Sequence, residues 1–243
     1  MAKGQFVKTT EGSRRLALLG LILGVIEEVS ENVGVPPEDV VLQESALEFY
    51  DVSEYILYYS IQGVGPVGLP RVEKEVEVAG RSTRLVVEPR EHLEGIPAMA
   101  LYERVPHVVL YNDSSMWKRL ALDTTRTGVE YMGIYLDNGE VLVVEGERFR
   151  VRLPFVRSLA SIHTHPDPYC ELSVKDIESG LDLLVEGGLF EAAVTLSCAS
   201  VMYRVGFVSE DDYVSVREFV LSRGRKLDKL LRLSSIRFSK TAY

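Results

Sequence analysis

His163-Thr164-His165-Pro166-Asp167-Pro168-Tyr169-Cys170-Glu171-Leu172-Ser173-Val174-Lys175-Asp176 holds a strand end, a loop and a helix start in one short run. The apolar residues leading into it make Val156 to His163 a strand. On a strand, positions i and i+2 share a face, so His163 and His165 aim the same way and Thr164 turns away. Pro166 and Pro168 stop the strand. Ser173-Val174-Lys175-Asp176 has the spacing of a capping box, which opens a helix running to Val185 and ended by Gly187-Gly188. Asp176 then sits in the first helical turn, within reach of the two imidazoles.

Two imidazoles and one carboxylate are a donor set that zinc accepts, and three protein ligands leave a fourth tetrahedral position open. An open position marks a catalytic centre, where the ion acidifies water and polarises a carbonyl. His-x-His by itself favours a blander reading, two polar residues stacked or solvated at a strand end. Ser173 likewise has a purely structural reading as a helix cap.

The wider pattern is more specific. His-Thr-His-Pro, followed by Ser173 and Asp176 at their present spacing, resembles the motif of the JAMM/MPN+ zinc metallopeptidases. Val129-Glu130-Tyr131-Met132-Gly133-Ile134-Tyr135-Leu136 is similar to that family's Glu-bearing strand, Met-Gly included. The resemblance covers the segment from about residue 105 onward. It implies that His163, His165 and Asp176 bind one Zn2+ per chain. It also implies that Glu130 takes a proton from the attacking water and passes it to the leaving amine, and that Ser173 donates to the developing oxyanion. The implied reaction is hydrolysis of an amide or isopeptide bond, with a ubiquitin-like modifier linked to lysine as the substrate by analogy. Leu159-Ala160-Ser161-Ile162 ahead of His163, and Thr164 in place of the commoner Ser, point to an archaeal or bacterial-type branch. A non-catalytic scaffold with the same fold, and a zinc hydrolase acting on small molecules, are the competing readings.

Outward from this region, Asp137-Asn138-Gly139 is a hairpin turn between Val129–Leu136 and Glu140–Val144. Strands are expected at Val108–Tyr111, Arg148–Leu153, Glu191–Ser197 and Met202–Val208. Helices are expected from Ser114 or Ser115 to Thr124 and from about Asp211 to Leu231. In the first hundred residues, Ser13 to Ser30 reads as a helix and Val35-Pro36-Pro37-Glu38-Asp39 as a break. Tyr55–Ile61 reads as a strand, and Glu73–Val78 with Thr83–Val87 as a hairpin. The expected fold class is α+β (α/β/α) with a mostly antiparallel sheet. Residues 1–104 would form an N-terminal α+β extension and 105–243 the metallopeptidase-like domain.

With 243 residues, 46% of them hydrophobic, the chain can bury a sizeable core. A formal charge of −9 argues against a nucleic-acid partner, since phosphate binding needs clustered Lys and Arg. The basic residues Arg223, Arg225, Lys226, Lys229 and Arg232 read as the solvated face of a helix. Few Asn and Gln beside many Glu and Arg fit a thermophile. The apolar run Leu16 to Ile26 is about half the ~20 residues that span a bilayer, and Glu27-Glu28 closes it. It is expected to be a buried helix in a cytoplasmic protein without membrane attachment, or equally a homodimer contact. Cys170 and Cys198 are two reduced thiols or, in a hyperthermophile, a single staple.

Overall fold

The computed structural model describes residues 5–44, 54–146 and 158–242. Strand β1 (Gln5–Thr9) leads into the long helix α1 (Glu11–Val33). Thr10 and Ser13 form a reciprocal capping box at the start of α1, and Gly34 ends it in the left-handed conformation at φ 73°. Leu16, Leu19, Leu23 and Ile26 are all buried, so the apolar run is core, as its spacing suggests. Among the described residues no helix is long and apolar enough to cross a membrane.

After a short 3-10 turn at Pro37–Asp39 come β2 (Val40–Leu42), β3 (Glu54–Ile61), β4 (Val72–Val78), β5 (Arg81–Pro89) and β6 (Ile96–Pro97). They form a five-stranded sheet in the order β4-β5-β3-β2-β6, with only β3 and β5 parallel. Helices α2 (Ala98–Asn112) and α3 (Ser114–Thr127) follow. Next come β7 (Tyr131–Leu136), β8 (Glu140–Glu145), β9 (Ser158–Thr164), α4 (Val174–Val185), β10 (Phe190–Val194), β11 (Cys198–Arg204), α5 (Glu210–Leu221) and β12 (Ile236–Ala242). The larger sheet runs β1-β8-β7-β9-β10-β11-β12, antiparallel except for β9 and β10, which α4 connects. The fold is α+β, as expected.

The large sheet lies between two cores. On β9, Ala160 and Ile162 join the core that contains α1, α2, α3 and the smaller sheet. Ile177, Leu181 and Leu184 of α4 pack with Val216 and Phe219 of α5 and with Met202 and Ile236 on the opposite face. His163, one residue from Ile162, therefore points to the α4 side. The helix-flanked sheet is fastened through Asp113. It accepts from the Thr10 hydroxyl at 2.8 Å, the Gly12 N–H at 3.1 Å and the Tyr135 hydroxyl at 2.8 Å. Tyr135 in turn accepts from Trp117 Nε1 at 2.9 Å. Gly133 is required beneath this tryptophan, because a Cβ there would lie 2.6 Å from the indole ring.

Several expectations change. Val108–Tyr111 is not a strand but the end of α2, which contains Pro106 and packs along α1. A short apolar run does not distinguish strand from helix, and packing against α1 decides it. Asp113 takes the cap position expected of Ser114 or Ser115, and its side chain is used in the network above. The last helix stops at Leu221, where a 3-10 turn at Leu227–Arg232 and then β12 follow. Asp212 enforces this ending by accepting backbone N–H groups from Ser234, Ser235 and Ile236. The expected strand Arg148–Leu153 lies outside the described residues. A division at residue 104 falls within α2, and β1 and α1 lie with the large sheet and its core.

Candidate metal centre

Strand β9 ends by delivering both histidines to one face. His163 is buried, and its Nδ1–H donates to Glu191 Oε1 on β10 at 2.9 Å. His165 follows the strand, and its Nδ1–H donates to the Tyr169 carbonyl at 3.1 Å. With Nδ1 held as a donor in each ring, Nε2 is the atom that each neutral imidazole offers toward one point. The two Nε2 atoms lie 3.0 Å apart. Thr164, between them, is turned to the other face, where its hydroxyl pairs with Thr124 of α3 at 2.6 Å and accepts from the Tyr131 N–H at 2.8 Å.

Asp176 comes from the first turn of α4. Its Oδ2 lies 3.4 Å from His163 Nε2 and 3.5 Å from His165 Nε2. The three donors thus form a nearly regular triangle. A tetrahedral zinc with ligand distances of about 2.0–2.2 Å sets donor atoms about 3.3–3.6 Å apart; the two edges to Asp176 match this, and the 3.0 Å Nε2–Nε2 edge must open by a few tenths of an ångström to accept such an ion. Among the described residues, His163, His165 and Asp176 are the group of three whose ligand atoms all lie within 4.8 Å of one another. The chain can therefore hold a metal ion here.

Ser173 caps α4, with its hydroxyl accepting from the Asp176 N–H at 3.2 Å and its own N–H donating to Asp176 Oδ2 at 2.6 Å. The cap uses an acceptor lone pair of the hydroxyl and leaves its proton available. Capping and donation to a substrate oxygen therefore do not compete for the same part of the group. Ser173 is exposed.

Glu130 immediately precedes β7, and its carbonyl accepts from the Gly146 N–H at 2.8 Å. Met132 pairs with His163 at the end of the β7–β9 register, and Glu130 lies two residues before Met132. The Glu130 side chain is exposed and lies outside the donor triangle.

The electrostatics of the metal-free centre follow from this geometry. Burial lowers the basicity of His163, but the Asp176 and Glu191 carboxylates reverse the effect, and its pKa is pushed up to about 10. Burial raises the Asp176 carboxyl, yet the hydrogen bonds of His163 and His165 prevail and hold it well below the usual carboxylate range. Glu191 is raised, because its burial outweighs the His163 contact.

One feature of the site escaped the sequence. Glu191 was read only as the start of a strand, although a single charged residue in Phe190-Glu191-Ala192-Ala193-Val194 was the available signal. Cys170 and Cys198 form a disulfide with Cα atoms 6.0 Å apart, the single staple rather than the two reduced thiols of the two expectations. It ties the loop between the histidines and Asp176 to the start of β11. Compared with protein-family models, curated proteins and solved structures, the chain matches nothing.

Proposed function

We propose that the chain is a zinc-dependent metallopeptidase that hydrolyses an amide or isopeptide bond, with a ubiquitin-like modifier joined to lysine as its substrate class. The observation that carries this reading is the convergence of His163 Nε2, His165 Nε2 and Asp176 Oδ2 at the end of a strand, with an exposed hydroxyl beside them. Two neutral imidazoles and one carboxylate suit zinc, and three ligands leave room for substrate and water. A zinc ion held there supplies Lewis acidity toward a carbonyl and toward water.

The chain's own groups divide the remaining work. Glu130, exposed just before β7, receives the proton of the attacking water on its carboxylate and returns it to the leaving nitrogen. The Ser173 hydroxyl donates to the oxygen that gains charge as the carbonyl becomes tetrahedral. Such a donor contributes about 3–4 kcal/mol to lowering the barrier where it has been removed elsewhere. Glu191 and the Tyr169 carbonyl keep both imidazoles from rotating. Tyr169 is largely exposed on the loop between the ligands, where its ring is open to a bound chain.

The test is metal analysis followed by incubation of zinc-loaded protein with a ubiquitin-like modifier isopeptide-linked to a lysine reporter. Cleavage that a chelator blocks and Glu130→Gln abolishes supports the proposal. One zinc per chain without cleavage keeps the metal centre and rejects this substrate class. A chain that binds no divalent ion rejects both.

A further inference from the structure

Glu191 is the one charged residue in a strand whose five positions are all buried. It is 2% exposed, and a carboxylate is rarely buried this deeply without a dedicated partner. That partner is His163 Nδ1, at 2.9 Å and 28 residues away in the chain. The arrangement is closed from above by α4. Gly180 lies so near that a Cβ at this position would be 3.0 Å from Glu191 Cβ and 3.2 Å from Met202 Sδ. The stem of Glu191 is therefore packed against α4, and at 2% exposure water has little access to compete for the imidazole proton.

We infer that Glu191 is the positioning residue of the metal centre, holding His163 as the Nδ1–H tautomer and supplying the second negative charge that matches a divalent ion. Accepting a hydrogen bond from Nδ1–H leaves Nε2 as the atom that binds the metal and makes the imidazole a stronger ligand. The charge count gives the second half of the role. A divalent cation held by two neutral imidazoles and the Asp176 carboxylate carries one residual positive charge. The Glu191 carboxylate cancels it within a buried site, where an uncompensated charge is costly. This role rests on the metal-centre reading and is independent of which bond is cleaved.

The two contributions separate by substitution. Glu191→Gln keeps the size and an acceptor oxygen but loses the charge, whereas Glu191→Leu loses both. Zinc affinity, measured by chelator competition, is expected to fall about tenfold in the first and about a hundredfold in the second, the range for losing such an outer partner. The visible absorption bands of the cobalt(II)-loaded parent are expected to shift in Glu191→Gln, because the donor strength of His163 changes while the ligand atoms stay the same. Metal-free Glu191→Gln is expected to melt within a few degrees of the metal-free parent.

Parent-like zinc affinity and an unchanged cobalt spectrum in Glu191→Gln would overturn the role while leaving the metal centre intact. A metal-free Glu191→Gln chain that no longer folds would make Glu191 a structural residue and overturn it as well. A parent chain that binds neither zinc nor cobalt would remove the metal centre and this role together.

Discussion

The Ser173 N–H donates to Asp176 Oδ2 at 2.6 Å, so the oxygen that completes the donor triangle is also the oxygen that caps α4. One carboxylate thus fixes the helix start and faces the two imidazoles. Asp176→Asn keeps a side-chain oxygen for the cap but loses the charge. It is expected to lose zinc binding by at least tenfold in a chelator-competition assay while the far-ultraviolet circular dichroism stays the same.

Ser173→Ala removes the other half of the cap without touching a ligand atom. A loss of about 1 kcal/mol in denaturant unfolding is expected, typical of a serine N-cap. Zinc content should remain one per chain. If the proposed mechanism holds, turnover of a cleaved substrate falls by about 100-fold or more, with the loss in kcat, because the donor to the developing oxyanion is gone.

Metal loading and acid-base behaviour are linked through His163. In the metal-free chain its pKa is raised from the model-compound value of 6.5 to about 10, so its contribution to stability is fully present below 6.5 and is lost as the pH rises through 10. Metal binding must displace the same proton, so apparent zinc affinity rises over that window. Melting curves of chelator-treated and zinc-loaded protein at pH 6, 8 and 10 are expected to diverge as the pH rises. Parallel curves would show that His163 does not exchange its proton for the metal.

The Cys170–Cys198 disulfide closes a segment with a sequence separation of 28, which includes Asp176 and Glu191. Its removal from the unfolded-state constraint corresponds to about 3–4 kcal/mol in the loop-entropy treatment. Cys198→Ser is expected to lower unfolding stability by up to that amount. It should also weaken zinc binding, because Tyr169, whose carbonyl orients His165, adjoins Cys170. Denaturant titration and chelator competition, each compared with the oxidised parent, measure the two effects.

Gly133 tests the frame behind the site. A Cβ there would meet the Trp117 ring at 2.6 Å and 2.7 Å, on the face of β7 away from the histidines. Gly133→Val is expected to destabilise the protein by about 1–3 kcal/mol, as overpacking does, in denaturant unfolding.

The local steps of the fold were readable from residue types because their causes are local. His163 and His165 share a face by the two-residue period of a strand, Asp176 reaches back through a cap of fixed spacing, and Asp137-Asn138-Gly139 makes a turn between adjacent strands. These sufficed to anticipate the grouping of the three donors. Tertiary structure decided the rest. Glu191 reaches His163 only because α4 carries the chain across to lay β10 parallel to β9, in a register that sets Ala193 beside His163. The pairing of β1 with β8, the helical state of Val108–Tyr111 and the addition of β12 to β11 depend on partners distant in the chain. Hydrophobic period and turn chemistry describe a segment's own preference. Which edge it joins, and which buried charge it meets, are set by packing that exists only once the layers have assembled.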